Sequence, residues 1–354
     1  IPVAAVTGSV GKTTTKEMLA AILRRSRRVL ASERTENNEI AVSATLLKLE
    51  PDHDVCVLEF AMRALREIAW LTETARPTVG IVTNVGQSHI GLLGTRKRIA
   101  AAKGELAIAL PPDGVAVLNA DDDYVLRMRE ITKARVVTFA QDAPADVVAA
   151  SVALDGWNGA EFTLRTADGT HPVRLSVPGR HNVVNALAAS AAALTMGATV
   201  EDIAAALADF EPQPGRTNVL RAPAGYVIID DTYNASPSSV VAALDLMAHC
   251  PVEGRRLVAL GDMLELGEHS PREHRQLAKE MARSQVRLLA TLGERARLTA
   301  EAAAEVEGLE AHAFATRDDL VGFLADALRP GDAVLVKGSR AMAMEAVVRR
   351  LLSD

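Results

Sequence analysis

The chain has 354 residues, of which 49% are hydrophobic and 24% are charged, a length and composition that suit about two domains with buried cores. These values exclude a disordered chain, a collagen-like chain and a small disulfide scaffold. The net charge of −6 argues against a protein that coats nucleic acid, and an aromatic content of 3% disfavours a base-stacking platform. Cys56 and Cys250 lie in apolar stretches, so we expect them to pack as small hydrophobic side chains in a reducing compartment.

The N-terminal part of the chain alternates apolar runs with helix-like stretches, which predicts an α/β fold with a mostly parallel sheet. The predicted strands are 3–6, 55–60, 79–83 and 115–118, and the predicted helices are 12–24, 42–49 and 96–110. Alternation around Asp168-Gly169 predicts an antiparallel hairpin within 149–177, which adds a flap to the parallel sheet.

Two further helices are predicted over 182–196 and 200–210, and the segment Glu211-Pro212-Gln213-Pro214-Gly215 is the clearest linker. A second, Rossmann-like α/β alternation follows it. Its predicted strands are 226–229, 257–260, 288–291 and 333–337, and its predicted helices are 237–248, 271–284, 317–328 and 340–352. The predicted domains are therefore 1–214 and 215–354.

The segment Thr7-Gly8-Ser9-Val10-Gly11-Lys12-Thr13-Thr14 follows an apolar strand and begins a helix. Glycines let backbone N–H groups approach phosphates, the lysine adds a positive charge, and a threonine hydroxyl can bind magnesium. Two residues separate Gly8 from Gly11, where the common phosphate loop has four. The segment predicts ATP or GTP binding by Gly8, Ser9, Val10, Gly11, Lys12, Thr13 and Thr14.

The shortened loop resembles that of the Mur ligase superfamily, and the resemblance, closest to its MurF type, continues through nearly the whole chain. The matching segments are Asn37-Asn38-Glu39-Ile40, Thr83-Asn84-Val85-Gly86 with His89, Ala102-Lys103-Gly104-Glu105, Gly179-Arg180-His181-Asn182 with Asn185, Asp230-Asp231-Thr232-Tyr233-Asn234-Ala235-Ser236-Pro237, Gly261-Asp262-Met263-Leu264-Glu265-Leu266-Gly267 and Val336-Lys337-Gly338-Ser339-Arg340. Their order and spacing together are specific, although most are weak individually.

The resemblance implies an ATP-dependent ligase with Mg²⁺ that forms an amide through an acyl phosphate. Its implied substrates are a UDP-N-acetylmuramoyl tripeptide and D-alanyl-D-alanine, and its implied place is the cytoplasm. Such chemistry needs cations and metal ligands more than a protein nucleophile. We expect a monomer that binds no nucleic acid. We also expect no membrane span, because no apolar run approaches the length of about 20 residues that a span requires.

Glu59 and His89 follow predicted parallel strands, at the edge of the sheet where α/β proteins bind ligands. The resemblance makes Thr13, Glu59 and His89 magnesium ligands and adds Lys103 if that lysine is carbamylated. It makes Lys12, His89, Lys103 and Arg216 the catalytic set. The alternative for Glu59 is that it caps the following helix or pairs with an arginine. The alternative for His89 is a structural histidine held by hydrogen bonds.

The resemblance further assigns Asn182, Arg216 and Asp231 to ATP, with Asp230 the weaker choice beside Asp231. It assigns the acid and amine substrates to Asn37, Asn38, Asn234, Ser236, Lys337 and Arg340. The alternatives are an N-cap at Asn182, a solvated arginine and a turn aspartate. His269 and His274 lack an evident set of metal partners and are predicted to be structural.

The chain departs from the family pattern at Ala41, Ser43 and Ala64-Leu65-Arg66, where glycines and a proline are usual. These positions flank the region expected to hold the peptide substrate, so a ligase for another acid and amine, such as a two-domain enzyme similar to folylpolyglutamate synthases, stays open. The chain begins at Ile1 without a methionine. Because the resemblance leaves no room for a UDP-binding N-terminal domain, we expect a missing upstream segment.

A nucleotide switch is an alternative from another class. Asn119-Ala120-Asp121-Asp122 has the Asn-x-x-Asp spacing of a guanine-binding motif, although alanine stands where that motif has lysine. A turn is the simpler interpretation.

Overall fold

The computed structural model describes residues 1–33 and 35–353, which divide into two compact units, Ile1–Glu211 and the chain from Pro212 onward. The division falls in the proline-rich segment 211–215. No helix among the described residues is long and apolar enough to cross a membrane.

The first unit is built on a nine-stranded sheet with helices on its faces. Its strands are β1 (Val3–Thr7), β2 (Val29–Ala31), β3 (Val55–Glu59), β4 (Val79–Val82), β5 (Val115–Asn119), β6 (Arg135–Ala140), β7 (Val147–Leu154), β8 (Ala160–Thr166) and β9 (Gly169–Leu175). Its helices are α1 (Lys12–Leu23), α2 (Glu39–Leu46), α3 (Glu67–Ala75), α4 (Ile90–Leu93), α5 (Arg96–Ala109), α6 (Asp123–Leu126), α7 (Arg180–Thr195) and α8 (Val200–Ala208).

The strand order is β2-β3-β1-β4-β5-β6-β7-β8-β9, and all pairs up to β6–β7 are parallel. Strands β7, β8 and β9 are antiparallel, and Thr166 pairs with Gly169 across the tight turn of the predicted hairpin. The flap is therefore confirmed, and it extends the same sheet. Helices α1 and α7 pack on the sheet, where small alanines of α7 let the helix approach the strands closely.

Two helix starts in the first unit differ from prediction. Helix α2 spans Glu39–Leu46 and not 42–49, because the Asn38 side chain accepts a hydrogen bond from the Ala41 N–H and caps its start. Helix α7 begins at Arg180, so the interpretation of Asn182 as an N-cap is wrong.

The second unit has a six-stranded sheet in the order β10-β11-β15-β12-β13-β14. Its strands are β10 (Asn218–Arg221), β11 (Val227–Asp231), β12 (Arg256–Gly261), β13 (Val286–Leu292), β14 (Glu310–Phe314) and β15 (Ala333–Lys337). Its helices are α9 (Pro237–His249), α10 (Ser270–Arg283), α11 (Arg297–Ala303), α12 (Arg317–Ala327) and α13 (Glu345–Ser353). Among the strands that the structure describes in this unit, only β10 is antiparallel to its neighbour, which agrees with the predicted α/β fold.

The last helix starts later than predicted. A short 3₁₀ turn occupies Arg340–Met342, and Ala343 has a φ of 48°, which interrupts the helical path before Glu345. The cysteines behave as expected. Cys56 and Cys250 are both buried and unlinked, and burial raises the pKa of each thiol to about 12.

Candidate active-site elements in the two units

The phosphate loop of the first unit is fastened to the segment that follows β4. The Asn84 side chain makes a two-point contact with the peptide groups of Val10: it accepts from the Val10 N–H and donates to the Val10 carbonyl, each at 3.0 Å. The Ser9 N–H donates to the Asn84 carbonyl at 3.0 Å, and the Thr83 hydroxyl donates to the Val10 carbonyl at 2.7 Å. Asn84 stands in the Thr83-Asn84-Val85-Gly86 motif, but the sequence did not indicate this role.

Two glycines are required by the geometry of this loop. Gly8 and Gly11 have φ angles of 154° and 84°, and a Cβ at either position would collide with a neighbouring side-chain oxygen, that of Thr83 or of Asn185 respectively. Gly11 is also the N-cap of α1, and in the described chain no side chain caps this helix. N–H groups at the start of a helix attract anions, which is what phosphate binding requires.

Glu59 lies at the carboxyl end of β3 and is 1% exposed. The Thr13 hydroxyl donates to its Oε2 at 2.6 Å, and the Asn37 side chain donates to its Oε1 at 2.8 Å. The predicted pair of oxygen ligands, Thr13 and Glu59, is thus brought together from residues far apart in the sequence. Asn37, assigned to the peptide substrate by resemblance, orients this carboxylate, and Asn38 caps α2.

Two lysines lie near one another in the first unit. The Lys12 Nζ donates to the Gly8 carbonyl at 3.0 Å, so its side chain curls over the loop. Lys103 lies on α5 and is 2% exposed. Burial, with a further contribution from the positive charge of Lys12, lowers the pKa of Lys103 well below its ordinary value. The solvated charge that an ordinary surface lysine would carry is therefore excluded at position 103.

The segment that carries His89 is held from both sides at Val85. The Val85 N–H donates to the Asp122 carboxylate at 2.8 Å, and the Arg96 guanidinium donates to the Val85 carbonyl at 2.7 Å. Arg96 also lies over the Tyr124 ring, 5.0 Å from its centroid. His89 then adopts a left-handed φ of 65° directly before α4. The sequence indicated the position of His89 but not this clamp.

Asn182 belongs to a second support of the phosphate loop. It donates to the Pro178 carbonyl at 2.8 Å and accepts from the Asn185 amide at 3.2 Å. Asn185 in turn lies against Gly11. The Asn182 side chain thus contacts the Pro178 carbonyl and the Asn185 amide. Its assignment to the adenine of ATP stays a prediction.

The Asn119-x-x-Asp122 segment is a turn, as the simpler interpretation holds. The Asn119 side chain donates to the Thr83 carbonyl at 2.8 Å and accepts from the Asp121 N–H at 2.9 Å. The Asp122 carboxylate caps α6 through the N–H groups of Tyr124 and Val125. Both side chains bond the protein's own backbone, so nothing at this segment favours guanine recognition.

In the second unit, Asp231 and Lys337 end neighbouring parallel strands and stand opposite one another. The Lys337 ammonium, 2% exposed, forms an ion pair with Asp231 and donates to the Asn234 carbonyl at 2.9 Å. The Thr217 N–H donates to the other Asp231 oxygen at 3.2 Å. Lys337 therefore ties β15 to β11, and any contact with a substrate carboxylate competes with an ion pair already made.

The neighbouring residues of this edge are also engaged. The Asp230 carboxylate accepts from the Thr232 hydroxyl at 2.6 Å, while burial raises its pKa. Asn234 is exposed, and its side-chain oxygen accepts from the Ala235 N–H at 2.9 Å. Ser236 begins α9 and exchanges hydrogen bonds with Ser239 in a capping box. Asn234 is thus the accessible member of this segment.

Two arginines converge on Tyr233, an aromatic residue whose role the sequence did not indicate. The Arg216 guanidinium lies 4.1 Å from the ring centroid and that of Arg340 lies 5.8 Å from it. Arg340 also pairs with Glu345 at 3.0 Å and is well exposed. The arginine assigned to ATP and the arginine assigned to the amine substrate are therefore close to one aromatic ring.

The residues around Thr13 fit a magnesium ion. A hydroxyl and a carboxylate are the hard oxygen donors that this ion prefers, and they lie side by side at the start of a glycine-lined anion cradle. Glu50, Asp52 and His53 form another cluster with metal-binding atoms among the described residues, but Arg28 already pairs with Glu50 and Asp52.

The sequence matches two profiles in the order of the two units. The Mur ligase middle domain matches residues 6–193, and the Mur ligase glutamate ligase domain matches residues 215–340. The chain belongs to the Mur ligase family. The resemblance drawn from the motifs is thereby confirmed, and the shared fold accounts for the phosphate loop, the flap and the second α/β unit together.

Several relatives within the Mur ligase family are MurF enzymes. The UDP-N-acetylmuramoyl-tripeptide--D-alanyl-D-alanine ligase of Mycobacterium bovis is 40% identical, and the alignment covers 99% of this chain and 72% of that protein. A crystal structure of MurF from Acinetobacter baumannii superposes with a TM-score of 0.92 at 34% identity, covering 100% of this chain and 77% of that one. MurF ligase from Thermotoga maritima, solved in complex with ADP, gives a TM-score of 0.89 at 28% identity over 99% of this chain and 79% of that one.

Proposed function

We propose that this protein is a MurF-type ligase that uses ATP to join D-alanyl-D-alanine to a UDP-N-acetylmuramoyl tripeptide. The observation that carries the proposal is the Thr13–Glu59 contact beside the glycine-lined phosphate loop, within a chain 40% identical to such a ligase. Peptidoglycan precursor synthesis in the cytoplasm is the corresponding process, and a monomer stays our prediction.

The proposed reaction has two steps. A carboxylate oxygen of the tripeptide attacks the γ-phosphorus of ATP, the bond to the bridging oxygen breaks, and ADP leaves. The amine nitrogen of the dipeptide then attacks the acyl carbon, the bond to the phosphate oxygen breaks, and the nitrogen loses a proton. Neither step needs a nucleophile from the protein, so the residues act by binding, orienting and neutralising charge.

The first unit supplies the phosphate-binding groups. The N–H groups at the start of α1 and the Lys12 ammonium bind the phosphates, and Thr13 and Glu59 would hold Mg²⁺. When bound, that ion neutralises negative charge as phosphate oxygens approach the carboxylate. His89 and Lys103 are proposed as further ligands, the latter only as a carbamate, because an ammonium group cannot coordinate a metal.

The second unit supplies cations for both substrates. We assign Arg216 to the ATP phosphates and Arg340 with Asn234 to the dipeptide, whose carboxylate suits a guanidinium partner. Arg340 is exposed and Arg216 is half-buried, so both guanidinium groups are accessible to ligands. Asp231 and Lys337 support this edge through their ion pair.

Oxygen labelling tests the reaction type. With ¹⁸O in the tripeptide carboxylate, an acyl phosphate transfers one labelled oxygen to inorganic phosphate, whereas adenylation would place it in AMP. We expect labelled phosphate, with ADP release that requires both the tripeptide and the dipeptide. ADP release insensitive to either substrate would contradict the proposal, and a preference for another acid or amine in a substrate panel would favour the alternative that Ala41, Ser43 and Ala64–Arg66 leave open.

The carbamate has its own test. Under ¹³C-labelled carbon dioxide, we expect a carbamate resonance in the carbon NMR spectrum that Lys103→Arg abolishes together with ligase activity. Lys97→Arg is the matched control, because Lys97 is an exposed residue of the same helix. A resonance that survives Lys103→Arg would overturn the assignment of the carbamate to Lys103. The proposed reaction through an acyl phosphate would be unaffected.

A further inference from the structure

The start of the Arg340 segment rests on the loop that follows β12. The Ser339 N–H donates to the Asp262 carbonyl at 3.0 Å, and the Leu264 N–H donates to the Ser339 hydroxyl at 2.8 Å. Ser339 is 4% exposed, so these bonds are made away from water. The loop over 262–264 therefore fixes the residue immediately before Arg340.

The residue between those two contacts, Met263, is held by a buried histidine. His274 on α10 is 0% exposed, and its Nε2 lies 3.1 Å from the Met263 nitrogen. A backbone N–H can only donate, so Nε2 must be an acceptor without a proton. Nδ1 lies 2.8 Å from the Ser270 carbonyl oxygen. Because a carbonyl oxygen can only accept, Nδ1 carries the proton. The geometry assigns one neutral tautomer.

The surroundings of His274 favour that neutral form. Burial lowers the pKa of His274, and Arg295 adds to the lowering, while the bond to Ser270 and the Asp262 carboxylate oppose it. Asp262 itself is occupied by the N–H groups of Arg295 and Ala296. The other charged residues of α10 are Arg272, Glu273, Arg275, Lys279, Glu280 and Arg283. The elements packed against α10 carry Arg297 and Glu301 on α11, Asp245 and His249 on α9, Arg287 on β13, and Glu268 and His269 in the turn before α10.

We propose that His274 is a positioning residue for the amine substrate: its unprotonated Nε2 holds the 262–264 loop, and through Ser339 the loop holds Arg340. The proposal rests on the function proposed above, because it takes Arg340 to bind the dipeptide. This positioning role differs from a purely structural one because it depends on whether Nε2 of His274 is protonated. A proton on Nε2 would face the Met263 N–H with another N–H, and the loop would lose its anchor.

Substitutions at His274 separate these possibilities in the full-length protein. His274→Gln retains an acceptor at the distance of Nε2 and does not titrate, whereas His274→Met fills the space without an acceptor. We expect His274→Met to raise the KM for D-alanyl-D-alanine about three- to tenfold, the equivalent of one net hydrogen bond, with the KM for ATP unchanged. His274→Gln should restore the wild-type KM.

The pH profile gives a readout that packing alone would not move. The ordinary pKa of histidine is 6.5, and a lowered folded-state pKa means that the unfolded chain binds the proton first. As the pH falls below about 6.5 the wild-type protein should lose stability, and through the lower folded-state pKa its KM for the dipeptide should rise. His274→Gln should lack both changes. Because the dipeptide amine also titrates, the comparison is made between variants at each pH.

His269→Gln is the matched control, since His269 is a partly exposed histidine just before α10 and should keep the wild-type pH profile. The proposal is overturned if His274→Met retains the wild-type KM, or if His274→Gln keeps the acid-dependent rise. Should His274→Met fail to fold, the glutamine profile still decides. Wild-type protein that shows no dipeptide-dependent ADP release would instead contradict the proposed function.

Discussion

The phosphate loop of the first unit depends on backbone geometry, whereas the candidate site of the second unit contains paired charged and aromatic side chains. Around the phosphate loop, Gly8 and Gly11 adopt conformations that other residues avoid, and Asn84 bonds the peptide groups of Val10. In the second unit, Lys337 is paired with Asp231, and Arg216 lies over Tyr233. Charged and aromatic side chains there contact one another as well as the backbone.

This difference corresponds to the chemistry each unit is proposed to perform. A triphosphate presents many oxygen atoms in a fixed spacing, which a rigid array of N–H groups can match. A flexible dipeptide presents one carboxylate and one amine, for which accessible guanidinium groups are better suited. The first unit should therefore be sensitive to changes in shape, and the second unit to changes in charge pairing.

The largest expected effect is at Glu59, the buried carboxylate beside Thr13 in the first unit. Glu59→Gln keeps the shape but removes the negative charge beside Thr13, and we expect kcat/KM to fall about a thousandfold, the equivalent of several kcal/mol. Steady-state ADP release over a magnesium titration measures it. Glu73→Gln, on an exposed position of α3, is the control and should behave as wild type.

The buried ion pair of the second unit comes next. Lys337→Met leaves the Asp231 carboxylate without its partner, and we expect the free energy of unfolding to fall by about 3 kcal/mol in denaturant titrations. Glu280→Gln breaks the largely exposed pair with Arg283 and should change stability little. Equal effects of the two changes would show that charge pairing does not stabilise this unit.

Shape in the phosphate loop is tested by Gly11→Ala. The added methyl group would collide with Asn185 at a backbone angle that alanine disfavours, so we expect ATP affinity to fall about a hundredfold. Gly322→Ala is the matched change, since nothing lies near its Cβ position within α12, and it should leave binding unaltered and stability slightly raised. Nucleotide titration by calorimetry measures the affinity, and unchanged binding in Gly11→Ala would contradict the rigid-array interpretation.

The smallest effect concerns Arg66, one of the departures from the family pattern. Its φ is 74°, a left-handed conformation that costs arginine free energy, while its N–H donates to Glu105 at 2.7 Å. Arg66→Gly keeps that bond and should raise the free energy of unfolding by about 0.5–1 kcal/mol. Arg63→Gly, at a residue outside the positive-φ set, should instead lower it. Thermal melting distinguishes the two directions.

The sequence allowed the fold class and most of the strands to be predicted, because buried parallel strands leave continuous apolar runs such as 55–59 and 333–337. The Thr13–Glu59 contact was also predictable in outline, since both residues lie at the carboxyl edge of adjacent parallel strands. Helix ends were less predictable. The starts of α2 and α13 depend on a cap at Asn38 and a left-handed residue at Ala343.

What the sequence did not reveal are the residues that act through others. Asn84 and Tyr233 stand in motifs, but their partners Val10 and Arg340 lie many residues away, and only the folded chain brings them together. The same holds for Lys337, whose ammonium is already engaged by Asp231. A motif identifies which residues belong to a site, but it does not separate those that touch a ligand from those that hold their neighbours.

The two-point contact between Asn84 and Val10 has a consequence for protein engineering. An eight-residue phosphate loop of this kind does not hold its own shape, because the peptide groups of Val10 are held by a side chain from the segment that follows the neighbouring strand β4. Residues 7–14 grafted into another scaffold should lack a fixed conformation unless residues 83–84 are grafted with them. The smallest part that can be moved as a phosphate-binding site therefore comprises the carboxyl ends of two adjacent strands, β1 and β4.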